Sequence, residues 1–119
     1  MATPNTHHGA QAVGQMLHAA RSVYFLGIGG ISMSSLAALT QRSGLRVGGY
    51  DRTISPLTEQ LVARGIPVDT VSDAANIDGY DAVVYTVAIS AEQPEYAEAQ
   101  RRGIPLISRA DYMGYLMTD

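Results

Sequence analysis

The stretch Tyr24–Gly44, YFLGIGGISMSSLAALTQRSG, decides how this chain folds. It begins with the apolar residues of a strand, passes through the glycine turn Gly27–Gly30 and continues with the spacing of a helix. A strand, a glycine-rich turn and a helix together form a cradle for phosphate, because the amides that open the helix point outward without partners. The dinucleotide fingerprint has a third glycine where this chain has Ser32, so the kind of phosphate ligand stays open at this point.

Strands and helices alternate along the rest of the chain. Strands are predicted at 23–26, 46–50, 68–71, 82–86 and 106–107, and helices at 31–43, 56–64, 94–102 and 109–117. The alternation predicts an α/β fold, a Rossmann-like doubly wound sheet of about five parallel strands in the order 3-2-1-4-5, with helices on both faces. In that order, ligands bind at the carboxyl ends of strands 1 and 4, where the winding reverses.

Two predicted helix ends share the sequence Arg-Gly-Ile-Pro, at Arg64–Pro67 and Arg102–Pro105. Glycine takes the left-handed conformation that closes a helix, isoleucine adds an apolar contact, and proline prevents the helix from continuing. We therefore predict two helix-to-strand turns of the same kind and no sequence repeat.

Length and charge limit the class of protein. The 119 residues correspond to a single domain, predicted at 21–119 after a loose amino-terminal segment, 1–20, with a possible short helix at 11–20. The net charge is −3 and all eight basic residues are arginines without a cluster, which argues against a nucleic-acid partner. No apolar run reaches the roughly 20 residues of a membrane span and no signal peptide is evident, so we expect a cytoplasmic protein without a membrane partner.

Several kinds of chemistry are absent from the sequence. Without cysteine, the chain has no disulfide, thiolate nucleophile or cysteine-ligated zinc. Without lysine, it cannot form the Gly-Lys-Ser/Thr P-loop that holds ATP. The three histidines lie at or before residue 18, away from the predicted cleft, and no nucleophile with an oriented base is evident. We therefore predict a binding domain with no catalytic residue, metal site or cofactor of its own.

A few polar residues follow the predicted strands. Asp51 comes about twenty residues after the glycines, where a carboxylate can accept hydrogen bonds from ribose hydroxyls or from its own turn. The adjacent Arg52 can face a phosphate or stay solvated. Ser32 and Ser34 can donate to a ligand or cap the helix. The loop Thr86–Ser90 can touch a nucleotide from across the switch point, or Ser90 can cap the next helix.

Four segments together resemble the amino-terminal domain of the Mur ligases, in the order that this family has them. They are VYFLGIGGISMSSLA at 23–37, VGGYDR at 47–52, VVYTVAISAEQPE at 83–95 and GIPLISRADYMGYLM at 103–117. The branch of the family that adds L-alanine is the most similar. The branch that recycles a cell-wall tripeptide usually has cysteine inside the glycine turn, where this chain has Ile28. The chain departs from the family at Ser32 and Ser35, where glycine is frequent, and at 69–72, where a histidine is common.

The resemblance implies a three-domain ligase of peptidoglycan synthesis, dependent on ATP and Mg²⁺, in which this domain binds the UDP part of UDP-N-acetylmuramate. The ATP-binding and carboxyl-terminal domains, which would bring ATP and L-alanine, are absent from these 119 residues, so we expect the chain alone to be inactive. By motif position, the diphosphate would contact Gly27, Ile28, Gly29, Gly30, Ile31, Ser32, Met33 and Ser34. The uridine would lie near Asp51, Arg52, Ala88, Ile89 and Ser90.

Two other functions fit the residues without the resemblance. One is the NAD(P)-binding Rossmann domain of an oxidoreductase, for which Arg52 beside Asp51 suits a 2′-phosphate. The other is a nucleotide-sensing regulatory module with no catalytic partner. The sequence beyond residue 119 would separate these functions, because the resemblance predicts a P-loop within a few residues.

Overall fold

The computed structural model describes residues 9–117. The strands are β1 (Ser22–Leu26), β2 (Arg46–Tyr50), β3 (Val68–Asp69), β4 (Ala82–Tyr85) and β5 (Leu106–Ser108). The helices are α1 (Ala10–Leu17), α2 (Ile31–Arg42), α3 (Pro56–Ala63), α4 (Pro94–Arg102) and α5 (Arg109–Leu116), and a 3₁₀ helix spans Ala74–Ile77. Within 9–117, no helix combines the length and the apolar character needed to cross a bilayer.

The strands form one parallel sheet in the order β3-β2-β1-β4-β5, which confirms the predicted doubly wound topology. The central strand β1 pairs along its whole length with β2, from Ser22 opposite Arg46 to Leu26 opposite Tyr50. On its other side β1 pairs with β4. Because all strands run the same way, the carboxyl ends of β1, β2 and β4 meet at one edge of the sheet, and the glycine turn lies there.

Side chains of β1 alternate between two buried faces, as expected when helices cover both sides of a parallel sheet. Val23 and Phe25 lie in one core with residues of α1, α2, α3 and α5. Tyr24 and Leu26 lie in a second core with residues of the 3₁₀ helix and α4. The Tyr24 hydroxyl donates to the Asp69 carboxylate at 2.8 Å. Burial and this carboxylate raise the pKa of Tyr24, so it remains a protonated donor.

Residues 10–17 of the amino-terminal segment form a helix, close to the possible short helix predicted at 11–20, and they pack against the domain rather than being loose. Helix α1 begins at Ala10 and ends at Leu17, and Val13 is fully buried. An ideal Cβ at Gly14 would lie 3.4 Å from the ring of Tyr115, so α1 and α5 approach closely. This packing makes 9–17 part of the domain, while the rest of the predicted loose segment up to residue 8 lies outside the described residues.

Strand β3 is shorter than predicted. It pairs with β2 only through Val68 and Asp69, whereas the sequence pattern predicts a strand over 68–71. Beyond it, the Ser72 hydroxyl and the Asp73 amide donate to the carboxylate of Glu95. The strand ends at Asp69 because its partner strand β2 ends at Tyr50, the residue opposite Asp69.

Both Arg-Gly-Ile-Pro turns have the predicted conformation. Gly65 and Gly103 have φ of +85° and +73°, in the left-handed region. The amides of Ile66 and Ile104 each donate to a carbonyl five residues earlier, at 3.0 and 2.9 Å. These are the bonds of a Schellman closure, and they confirm that both segments are helix-to-strand turns.

We expect Ser55→Ala to lower the free energy of unfolding by about 1 kcal/mol, measured by urea titration. Ser55 caps α3: its hydroxyl accepts from the Thr58 amide at 3.3 Å, and its own amide donates to the Thr58 hydroxyl at 2.8 Å. The control is Ser43→Ala, since the Ser43 hydroxyl only donates to a carbonyl of its own helix on the exposed surface. Equal stability of the two variants would contradict the cap.

Candidate functional site

The glycine turn is anchored to the end of the neighbouring strand. The amides of Gly27 and Ile28 both donate to the carbonyl of Tyr50, at 2.8 and 3.0 Å. Gly27 has a φ of +88°, a conformation that glycine adopts without strain. These bonds hold the turn against the carboxyl end of β2. Within the turn the chain reverses direction and enters α2.

The first amides of α2 come before the hydrogen-bond ladder of the helix. Gly30 is the N-cap and provides no side-chain cap, and the first ladder bond runs from the Ser34 amide to the Gly30 carbonyl at 2.8 Å. The amides at 31–33 therefore lie at the positive end of the helix dipole without an intrahelical acceptor. Such an end binds anions, and the first turn carries no acidic side chain that would oppose them.

Asp51 braces the glycine turn. One carboxylate oxygen accepts from the Gly29 amide at 2.9 Å and the other accepts from the Thr53 amide at 3.0 Å. Asp51 therefore makes the contact with its own turn that was one of the two roles predicted for it. Each oxygen keeps a second lone pair, so the carboxylate can still accept from a ligand. The contact also explains a glycine, since an ideal Cβ at Gly29 would lie 2.7 Å from the Asp51 oxygen.

A cleft of about 270 Å³ opens at the switch point of the sheet. Its lining comes from both sides of β1 and consists of Gly27, Tyr50, Asp51, Arg52, Thr86, Ala88, Ile89 and Gln93. The structure thus brings together Gly27, Asp51, Arg52, Ala88 and Ile89, which the sequence predicts to share a site. The volume is near the lower limit of ligand pockets, so the cleft suits part of a nucleotide rather than a whole sugar nucleotide.

Three residues of the predicted diphosphate segment face away from solvent. The side chains of Ile28 and Met33 lie in the core, 0% and 1% exposed, so only their backbone can meet a ligand. The Ser34 hydroxyl donates to the Ile31 carbonyl at 3.0 Å and is buried, so it is neither the helix cap nor a free donor. By contrast, Ile31 is 80% exposed and Ser32 is half-buried at the start of α2.

Ser90 does not cap the next helix, which corrects one of the two roles considered for it. The N-cap of α4 is Gln93, and the Ser90 hydroxyl accepts from the Glu92 amide at 3.3 Å within the loop. Ser90 is exposed beside the cleft and does not belong to its lining. Helix α4 begins at Pro94, since proline is well suited to the first position of a helix.

The sequence prediction missed two residues of the lining, Tyr50 and Gln93, whereas Thr86 belongs to the loop predicted to lie across the switch point. Tyr50 is the last residue of β2, so its place at a strand end is a usable signal. Gln93 has no such local signal, because contacts with a distant segment hold its side chain at the cleft.

Comparison with known proteins agrees with this architecture. The family described as "Mur ligase family, catalytic domain" matches residues 22–119. A UDP-N-acetylmuramate--L-alanine ligase from Agathobacter rectalis is 46% identical over 96 residues, which cover 80% of this chain and 21% of that protein. This chain therefore spans about a fifth of the length of the curated relatives it matches.

Two solved structures are similar in fold and sequence. The UDP-N-acetylmuramate-alanine ligase of Thermotoga maritima matches with a TM-score of 0.75 and 32% identity, covering 77% of this chain and 21% of that chain. The UDP-N-acetylmuramate:L-alanyl-gamma-D-glutamyl-meso-diaminopimelate ligase of Neisseria meningitides matches with a TM-score of 0.72 and 31% identity, covering 80% and 30%. With a family match over nearly all of the described residues and the same fold in these structures, the chain belongs to the Mur ligase family.

Proposed function

We propose that this chain binds the UDP part of UDP-N-acetylmuramate, as the substrate domain of the ligase that adds L-alanine in peptidoglycan synthesis. The observation that carries the proposal is the row of amides at 31–33, which lie without intrahelical acceptors and follow the glycine turn whose Gly27 lines the switch-point cleft. A diphosphate at these amides places the attached uridine in the cleft. The names and sequences of the relatives support UDP-N-acetylmuramate as the substrate.

In this proposal each part of the nucleotide meets a different group. The diphosphate takes the amides of Ile31, Ser32 and Met33, since the Gly29 amide is already bound to Asp51. Asp51 accepts from the ribose hydroxyls with its remaining lone pairs. Arg52 adds positive charge at the mouth of the cleft. The muramic acid then extends away from the sheet.

This chain holds the substrate and does not perform the ligation. In the proposed whole enzyme, ATP with Mg²⁺ phosphorylates the muramic acid carboxylate, and the L-alanine amine displaces phosphate from the acyl phosphate to form the amide. Those steps take place on the ATP-binding and carboxyl-terminal domains of the whole enzyme. The role of the residues described here is to fix the nucleotide end of the substrate, so that binding energy from the remote UDP orients the reacting carboxylate.

The second candidate is an NAD(P)-binding domain, favoured by the single observation that Arg52 and Asp51 share the cleft. Calorimetry of the 119-residue chain with UDP, UDP-N-acetylmuramate and NADPH separates the two. We expect both uridine ligands to bind about tenfold or more tightly than NADPH. Tight binding of NADPH with no heat from the uridine ligands would overturn the proposed function.

A further inference from the structure

Glu95 is a fully buried carboxylate at the start of α4, with an exposed fraction of 0%. Its oxygens accept four hydrogen bonds, from the Ser72 hydroxyl at 2.5 Å, the Asp73 amide at 3.3 Å, the Asn76 side-chain amide at 2.9 Å and the Gln93 side-chain amide at 3.2 Å. Within residues 9–117, none of these partners is a cation. A buried charge held only by neutral donors is costly to keep, and the positive end of α4 offsets part of this cost.

The carboxylate fixes the orientation of the Gln93 side chain. The Gln93 Nε2 donates one hydrogen to the Ser72 hydroxyl at 2.9 Å and the other to Glu95. A carboxylate only accepts, so the nitrogen of the amide and not its oxygen must face Glu95. The Ser72 hydroxyl has already donated its proton to Glu95 and can only accept from Gln93. Both hydrogens of the amide are thereby used.

The remaining polar atom of this side chain is Oε1. Gln93 lines the switch-point cleft, and in the described part of the chain its Oε1 accepts no hydrogen bond. The amide cannot flip without turning its oxygen towards the Glu95 carboxylate. The cleft therefore contains a hydrogen-bond acceptor whose orientation a buried anion enforces, on the opposite side of β1 from Asp51.

We propose that Gln93 recognises the nucleobase by accepting a hydrogen bond from the N3–H of uracil. Glu95 and Ser72 act as positioning residues that orient the Gln93 amide. The inference rests on the proposed function and names the subsite that selects the base. The nucleoside of a uridine diphosphate ester has three donors, the two ribose hydroxyls and N3–H. Asp51 is the acceptor for the hydroxyls, which leaves N3–H for Gln93. Cytosine has a lone pair at N3, which would oppose the glutamine oxygen.

Ligand analogues test this pairing on the unmodified 119-residue chain. Titrations followed by amide chemical shifts compare UDP with 3-methyl-UDP, which lacks N3–H, and with CDP. We expect both analogues to bind about tenfold more weakly than UDP. Equal binding of UDP and 3-methyl-UDP would overturn the inference and leave the proposed function intact. Binding of NADPH without any binding of UDP would instead overturn the proposed function.

The variant Gln93→Ala separates the loss of a hydrogen bond from a steric effect of the methyl group of 3-methyl-UDP. In Gln93→Ala the preference for UDP over 3-methyl-UDP should fall from about tenfold to about twofold or less, and the matched control is Gln100→Ala on the exposed face of the same helix. Persistence of the full preference in Gln93→Ala would contradict the role of Gln93.

Glu95→Gln tests the positioning role. A glutamine at this position can donate as well as accept, so the Gln93 amide becomes free to flip and to offer NH₂ to the N3 lone pair of cytosine. We expect the preference in affinity for UDP over CDP to fall about tenfold. The preference in affinity for UDP over 2′-deoxy-UDP should stay unchanged. The matched control is Glu92→Gln, an exposed residue in the preceding loop. An unchanged preference for UDP over CDP in folded Glu95→Gln would show that Glu95 has only a structural role.

Discussion

Gly49→Ala is expected to destabilise the chain by about 3 kcal/mol, at the upper end of the usual cost of overpacking. An ideal Cβ at Gly49 would lie 2.5 Å from the carbonyl oxygen of Phe25 and 2.6 Å from the Ile28 side chain. Neither neighbour can yield easily. Gly49 pairs with Phe25 on one side and Val68 on the other, so β2 is held between two strands. Ile28 is fully buried above it.

The measurement is urea unfolding of Gly49→Ala beside Gly114→Ala. Gly114 lies within α5 with no heavy atom within 4 Å of an ideal Cβ, and alanine there should stabilise the helix by about 0.5–1 kcal/mol. The two glycine-to-alanine changes thus have opposite expected signs. A Gly49→Ala variant as stable as the wild type would show that β2 and the glycine turn are further apart than described.

Gly30→Ala is expected to reduce UDP affinity about tenfold or more while leaving the chain folded. The backbone at Gly30 has φ −66° and ψ 155°, which any residue adopts, and the nearest heavy atom to an ideal Cβ is 3.7 Å away. The free protein therefore does not require glycine here. The proposed ligand does, because a methyl group at the N-cap would occupy the approach to the unpaired amides at 31–33.

The matched control for this variant is Gly9→Ala. Gly9 is the N-cap of α1, with φ −70° and ψ 165°, no side-chain cap and, among residues 9–117, no heavy atom within 4 Å of an ideal Cβ. Both substitutions exchange the same residue at the same helix position, so they carry a similar stability cost of less than about 1 kcal/mol. Only Gly30→Ala should weaken UDP binding in calorimetry. If the two variants bind UDP with similar affinity, the diphosphate does not bind at the start of α2.

Local patterns were sufficient to predict most of the fold. Alternating apolar stretches predict the five strands, and proline or glycine marks several of the helix ends, as at Pro56 and Gly103. Strand order then follows from the right-handed connections of a doubly wound sheet, so the switch point and the positions of Gly27, Asp51 and Ala88 are predictable without a structure.

Contacts between distant segments set the limit of prediction. The orientation of Gln93 depends on both Glu95 and Ser72, which lie 23 residues apart in the sequence. A carboxylate at the start of α4 suits the helix dipole, but no local pattern indicates that the Glu95 side chain is fully buried. Likewise, Asp51 fits both a ribose contact and a turn contact locally, and only the folded chain shows its bond to Gly29.

Backbone amide chemical shifts of the 119-residue chain test the central claim most directly, that a diphosphate binds at the start of α2. Titration with UDP should shift the amides of Ile31, Ser32 and Met33 most strongly, and titration with uridine should shift them much less. The amide of Gly103 at the far end of α4 serves as an internal reference. If UDP leaves the three amides unshifted, or if only NADPH shifts them, the chain is not a UDP-binding domain of the kind proposed.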